Sequence, residues 1–150
     1  METSIIASIA ARPEQVTPIV TDLATYPEWL SLVTEAAPAE PADGDVGPAW
    51  SLTLRAKVGP FARSKRLRMV RTEERPDGAV FTRAEVDGRD HATWRMTTTV
   101  TAEGDAACTV TTGLFYDGSL WSGPLEAILR SEAELAEERL DELVGTRGHA

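Results

Sequence analysis

Trp50-Ser51-Leu52-Thr53-Leu54-Arg55-Ala56-Lys57-Val58 is the stretch on which the reading of this chain turns. Apolar residues stand at every second position, and the residues between them are hydroxylated or charged. A period of two puts each set on its own side of a pleated strand, so the segment predicts a strand with one buried and one solvated face. Such a sheet needs a cover for its apolar face. The rest of the chain has to provide both that cover and the neighbouring strands.

Toward the C-terminus, Gly59-Pro60 breaks the run, and Ala62 to Glu74 resumes it with Leu67 and Met69 opposed to Arg66 and Arg68. Pro76-Asp77-Gly78 is a turn signal, followed by a strand from Val80 to Val86 and a turn at Asp87-Gly88. His91 to Thr101 places Trp94, Met96, Thr98 and Val100 on one face. After Glu103-Gly104-Asp105, Ala107 to Tyr116 aligns Cys108, Val110, Thr112, Leu114 and Tyr116. Consecutive strands with short turns make an antiparallel meander. Asp117-Gly118 ends it, and Ser119 or Ser122 can cap a helix running to Val144, about 30–38 Å long. Its stripe is Leu125, Ile128, Leu129, Leu135, Leu140, Leu143 and Val144, with Glu132, Glu134, Glu137, Glu138 and Asp141 mostly on the other side. Gly145 is the expected stop, and residues 146–150 a flexible tail.

Toward the N-terminus, Thr3 to Ala11 reads as a strand, and Pro13 opens a helix carrying Val16, Ile19, Val20 and Leu23, distorted by Pro18. A second short helix is expected with Thr25 as its N-cap and Pro27 in its first turn. Pro38, Pro41, Asp43-Gly44 and Gly47-Pro48 mark a turn region. The expected fold is α+β: a curved antiparallel sheet of six or seven strands around a long C-terminal helix, in one domain over residues 1–145. One helix fills only part of a curled sheet's concave side, so an internal cavity follows as an expectation.

Composition narrows the functions. A chain of 150 residues fits one domain, and its 42% apolar and 26% charged residues suit a globular protein. Fifteen Lys and Arg against 24 Asp and Glu give 15 − 24 = −9, a surface that repels nucleic acid at long range. The single cysteine, Cys108, excludes an intramolecular disulfide and a four-cysteine zinc site; it reads as a small buried hydrophobe. Ile5 to Ala11 is too short to span a bilayer and lacks a cationic leader, so no stable membrane insertion and a cytoplasmic location are expected. No glycine-rich phosphate loop or nucleophile elbow is present, so no nucleotide cofactor is expected. No histidine, cysteine or acidic residue at ligand spacing joins His91, so no metal is expected either.

Ile9-Ala10-Ala11-Arg12-Pro13-Glu14-Gln15-Val16, followed by Thr21-Asp22-Leu23-Ala24-Thr25-Tyr26-Pro27-Glu28-Trp29, resembles the N-terminal signature of the SRPBCC superfamily. In that signature a first strand ends at a small residue and Pro-Glu, and a helix leads to Asp and then Tyr-Pro-x-Trp. The superfamily includes START lipid-transfer domains, birch-pollen-allergen-like proteins, polyketide cyclases and a small component of carbon-monoxide dehydrogenase. The likeness spans nearly the whole chain and implies the helix-grip fold. It implies a ligand cavity too, but not an activity, because the signature introduces binders and enzymes alike.

Strand parity and the helix stripe give the candidate ligand wall. It comprises Trp50, Leu52, Leu54, Met69, Thr82, Trp94, Met96, Thr98, Thr112, Leu114, Tyr116, Trp121, Leu125, Ile128 and Leu129. Tryptophans there offer flat walls and threonines offer hydroxyls, although both equally make ordinary core. The leading functional reading is binding of a hydrophobic small molecule, a lipid or polyketide-like compound, for transport or sequestration. The alternative is a polyketide cyclase/dehydratase-type enzyme using His91, Arg63, Arg71 and Tyr116. Against it, His91 reads more simply as an exposed residue at a strand start. The run Arg63, Lys65, Arg66, Arg68 and Arg71 reads more simply as a solvated strand paired with acids such as Glu73, Glu85 or Asp87. On the basic run, an anionic ligand group or a membrane surface is the functional counterpart. Oligomeric state stays open, and a docking role for the acidic helix face is a third reading.

Overall fold

The computed structural model describes residues 1–58, 60–118 and 122–147. In chain order the strands are β1 (Glu2–Ile9), β2 (Val33–Pro38), β3 (Ala49–Val58), β4 (Phe61–Arg75), β5 (Gly78–Arg83), β6 (Trp94–Ala102) and β7 (Cys108–Tyr116). Helix α1 (Pro13–Val20) and a 3-10 helix (Leu23–Glu28) lie between β1 and β2, and α2 (Ser122–Arg147) follows β7. The spatial order is β1-β7-β6-β5-β4-β3-β2, antiparallel throughout. β2 to β7 is thus one meander, and β1 docks beside β7. The first two strands therefore sit at opposite edges, and α1 with the 3-10 helix bridges them.

Residues 33–38, which carry no strand period in the sequence, form the seventh strand rather than the start of a turn region. β2 pairs with β3 from Val33↔Leu54 to Pro38↔Trp50, with a register shift between Val33 and Glu35. Only Val33 of the strand is buried, so no period of two marks it, and Pro38 is tolerated because the strand is an edge.

The alternation of β3, β6 and β7 is realised as a continuous concave face. Trp50 lies opposite Met69, Leu52 opposite Leu67, Met96 opposite Leu114 and Thr98 opposite Thr112, and all are buried. α2 covers this face with Leu125, Leu129, Ala136, Leu140 and Val144, while Leu135 is only partly covered. A fully buried leucine such as Leu140 contributes about 1.5–3 kcal/mol by leaving water. The helix does not stop at Gly145 but continues to Arg147; the final three residues of the expected tail lie outside the described residues.

The bridging segment is fixed by side-chain hydrogen bonds. The Asp22 carboxylate, not Thr25, caps the 3-10 helix by accepting from the Ala24 N–H at 3.0 Å. Thr25 instead donates its hydroxyl toward the Ile19 and Asp22 carbonyls, at 2.8 and 2.9 Å. The Tyr26 hydroxyl donates to the Val20 carbonyl at 2.7 Å. Burial holds this phenol well above its ordinary pKa, with the neighbouring Thr98 hydroxyl acting in the opposite sense. Tyr26 is therefore a permanent donor in the closed end of the molecule.

Candidate ligand groove

Twelve of the fifteen residues expected to wall a cavity are buried on the concave side, and several aromatic rings there meet one another. The Trp94 and Tyr116 rings lie 4.4 Å apart between centroids, Tyr26 and Trp29 4.6 Å, and Trp50 and Phe81 5.8 Å. Trp50, Leu52, Leu54, Met69, Trp94, Met96, Thr98, Thr112, Leu114, Tyr116, Leu125 and Leu129 are all buried on the concave side. A Cβ on Gly118 would overlap the Tyr116 ring, so glycine there lets the ring lie flat against the exit of β7. Trp121 and Ser119 lie outside the described residues.

Two placements differ from expectation. Thr82 points to the convex face, where its hydroxyl meets that of Thr72 at 3.1 Å. The concave residues of β5 are instead Ala79, Phe81 and Arg83, with Phe81 opposite Met96 and Arg83 opposite Met69. Arg83 is held at its concave position by Glu85, 2.8 Å from Nε, and only 7% of its side chain is exposed. That ion pair gives the buried side of β5 the look of a solvated one.

Glu132 is the second. Sorted by charge it belongs to the outer face of α2, yet Leu129, Glu132, Ala136 and Leu140 advance by three, four and four residues, the spacing of one helix face. Its Oε2 is buried and has no hydrogen-bond partner. A buried acceptor left unpaired costs about 1–3 kcal/mol, and more for a charged one. This side chain borders an open groove of about 450 Å³ on the seam between α2 and the β2–β3 edge. Leu32, Ala56 and Ile128 form the apolar floor, Ser31, Thr34 and Ser131 add hydroxyls, and Arg55 and Lys57 stand on the rim. The size falls in the range of small-molecule sites. Ile128 is the residue shared by the predicted ligand wall and this groove.

The four candidate catalytic side chains do not converge. His91 is exposed in the β5–β6 loop, with Nε2 at 3.0 and 2.9 Å from the two Asp87 carboxylate oxygens. The Arg89 N–H and then His91 hold the Asp87 carboxyl below its ordinary pKa. The loop encloses a smaller groove of about 290 Å³ that includes Glu85, Arg89 and His91. Arg63 is exposed near the β3–β4 turn. Arg71 lies at the opposite end of the sheet, donating to the Thr21 carbonyl at 3.1 Å and to Glu74 at 3.2 Å. Tyr116 is buried against Trp94. Cys108 is buried too, which pushes its thiol pKa up and makes it a packing residue. Among the described residues no cluster of three or more His, Cys, Asp or Glu could hold a metal ion. No helix among them is long and apolar enough to cross a membrane.

A half-barrel sheet gripping its terminal helix, with a side-chain-lined groove along the seam, defines a helix-grip domain. Residues 2–145 match the family model described as polyketide cyclase / dehydrase and lipid transport, and the chain belongs to this family of the SRPBCC superfamily. No curated protein matches the sequence. Among solved structures, a START superfamily protein from Mycobacterium smegmatis is 13% identical, with a TM-score of 0.69 and 97% of each chain covered. A protein from Thermus thermophilus is 18% identical, with a TM-score of 0.64, covering 97% of this chain and 98% of its own. The ZhuI aromatase/cyclase from Streptomyces sp. R1128 is 12% identical, with a TM-score of 0.62, covering 98% and 94%. At these identities the likeness is one of fold.

Proposed function

We propose that the protein binds a hydrophobic small molecule of lipid or polyketide-like character that carries a hydrogen-bond donor. The ligand lies along the seam between α2 and the β2–β3 edge. The supporting observation is the groove itself: an apolar floor of Leu32, Ala56 and Ile128 beside the buried, unpartnered Glu132 Oε2. A hydrocarbon body leaves water on that floor. A hydroxyl or ammonium group reaching Glu132 relieves the unpaired carboxylate, so the preferred ligand is amphipathic rather than a bare hydrocarbon. An enzymatic reading with His91, Arg63, Arg71 and Tyr116 as its bearers draws no support from their placement.

The test is calorimetric titration with fatty alcohols, fatty amines, fatty acids and polycyclic aromatic alcohols. Alcohols or amines should bind, and Glu132→Gln should weaken them about 10-fold or more relative to the matching hydrocarbon. Ile128→Trp, which fills the groove, should abolish binding while leaving the fold intact by circular dichroism. A flat titration across the panel, or binding indifferent to Ile128→Trp, overturns the proposal.

A further inference from the structure

The acidic chain contains one segment of opposite character. Residues 46–72 hold seven cations, Arg55, Lys57, Arg63, Lys65, Arg66, Arg68 and Arg71, and no Asp or Glu. The remainder therefore carries 15 − 7 = 8 cations against 24 acids, a net of −16, while this segment carries +7. Arg68 and Arg71 are engaged with Asp45 and Glu74. The other five form no ion pair among the described residues, although such pairs would be easily found in so acidic a protein.

Geometry gathers these five on one hairpin arm, with α2 beside it at Ala56. β5 ends at Arg83, opposite Met69, so β4 runs on from Arg68 back to Phe61 without β5 beside it. β2 pairs no further than Val33↔Leu54, so β3 beyond Leu54 has β4 as its only strand neighbour. The β3–β4 hairpin thus extends eight residues past the β5 pairing, about 26 Å at strand rise. Cross-strand pairs sort its charges. Leu54↔Lys65 and Ala56↔Arg63 put two cations on the concave side. Thr53↔Arg66, Arg55↔Ser64 and Lys57↔Ala62 put three on the convex side. At the tip Phe61 is 71% exposed, and Pro60 and Ala62 beside it are exposed as well.

We propose that this arm docks the protein on an anionic lipid bilayer, with Phe61 at the boundary between headgroups and acyl chains and the five cations among the phosphates. The spacing fits. Arg63 stands two residues behind Phe61, about 7 Å, and Lys65 four residues behind, about 13 Å. An apolar group buried about 5–10 Å deep therefore leaves the first cations level with the headgroups. Cations on both faces of the arm surround its apolar tip, which suits a planar surface entered tip first. An acidic protein partner would engage one face and leave the other cations in water. The −16 of the remaining chain turns the body away from the same surface, so the field orients the molecule before contact. The groove rim shares Arg55 and Lys57 with the arm, which places the ligand seam beside the docking surface.

The experiment is sedimentation with sucrose-loaded vesicles of phosphatidylcholine, alone or with about 30% phosphatidylglycerol. The wild-type protein should bind the anionic vesicles in preference to the neutral ones and be released at about 1 M salt, where screening is within about 3 Å. Lys57→Gln with Arg63→Gln should lower the partition coefficient about 30-fold, and Phe61→Ser about 10-fold. Arg12→Gln with Arg130→Gln changes the net charge equally at exposed sites away from the arm and should alter binding less than about twofold. Thermal melts establish that each variant is folded. Equal binding to neutral vesicles, equal loss in the control pair, unchanged binding in the arm variants, or capture of an acidic protein without vesicle binding each overturns the proposal. The vesicle readout requires no cavity ligand, and groove-filled Ile128→Trp should dock normally, so failure here and failure of the ligand groove are separately visible.

Discussion

Arg66 and Arg68 stand two residues apart on the convex face of β4, and their surroundings make them opposites. Arg66 is exposed and forms no ion pair among the described residues. Arg68 is 8% exposed, and its guanidinium holds both Asp45 oxygens, at 3.0 and 2.6 Å, together with the Ala84 carbonyl at 3.0 Å and the Glu40 carbonyl at 2.9 Å. The Asp45 carboxylate in turn accepts from the Ala42 N–H at 2.8 Å. The residue type, strand face and local spacing are shared; the difference is the β2–β3 connection folded back over one arginine and not the other. Parity assigns a side chain to a face, but cover decides whether it becomes a structural tie or a free charge.

Breaking the tie is expected to give the largest effect. Arg68→Ala leaves Asp45 and two carbonyls without their donor and should lower Tm by roughly 10 °C. Arg66→Ala should move it by about 1 °C or less in the same scanning calorimetry. Arg68→Lys should recover less than half of the loss, because one ammonium cannot reproduce a two-pronged fork. Equal melting of the two alanine variants would erase the distinction drawn between the two positions.

The same pair carries a pH signature that the free half of β4 lacks. Arg68, and after it the Ala42 N–H, lower the Asp45 pKa to about 2. In the unfolded chain it returns to about 3.9. A carboxyl depressed on folding contributes its stability fully above the unfolded value and loses it as pH falls through the folded one. The Tm gap between the wild type and Asp45→Asn should therefore stay constant from neutrality to about pH 4 and close between about pH 4 and 2. A gap that persists unchanged at pH 2 would show that Asp45 acts through something other than its charge.

The same distinction between face and cover explains what the sequence could carry. β3, β6 and β7 are legible because each sets apolar against polar residues at strict alternation over most of its length, as in Trp94, Met96, Thr98 and Val100. β5 is legible as a strand but inverted, since Phe81 shares its face with Arg83, and the burial of that arginine beside Glu85 is set by the surrounding fold and not by strand alternation. β2 gives no signal, as an edge strand with one buried residue has no period to display. Glu132 is recoverable from spacing alone, three residues after Leu129 and four before Ala136; sorting residues by charge instead of helical position hides it. The contacts between opposed wall residues are not recoverable. Alternation places Trp94 and Tyr116 on one wall but cannot give the 4.4 Å between their rings.

The smallest predicted effect concerns charges that the sequence pattern assigns to a solvated helix face. β1 is a sheet edge, and the outward N–H groups of its Ser8 and of Ala10, the residue just past its end, donate to Glu137 Oε2 and Asp141 Oδ1 of α2, both at 2.9 Å. The acids stand one helical turn apart, and the donors two residues apart along the chain, so two acidic side chains track the strand edge without forming a strand. A carboxylate accepts and cannot donate, so these two groups satisfy the edge while denying it to another chain's carbonyls. Glu137→Ala with Asp141→Ala should lower Tm by only about 2–4 °C, because exposed hydrogen bonds are worth little to the monomer. The sharper readout is the edge itself. Amide exchange at Ser8 and Ala10 should quicken, and light scattering should detect self-association at high concentration. Glu134→Ala with Glu138→Ala, on the exposed face of the same helix, should change neither. Unchanged exchange at Ser8 and Ala10 in the first variant would return Glu137 and Asp141 to the class of Arg66: charged groups on a face, tied to nothing.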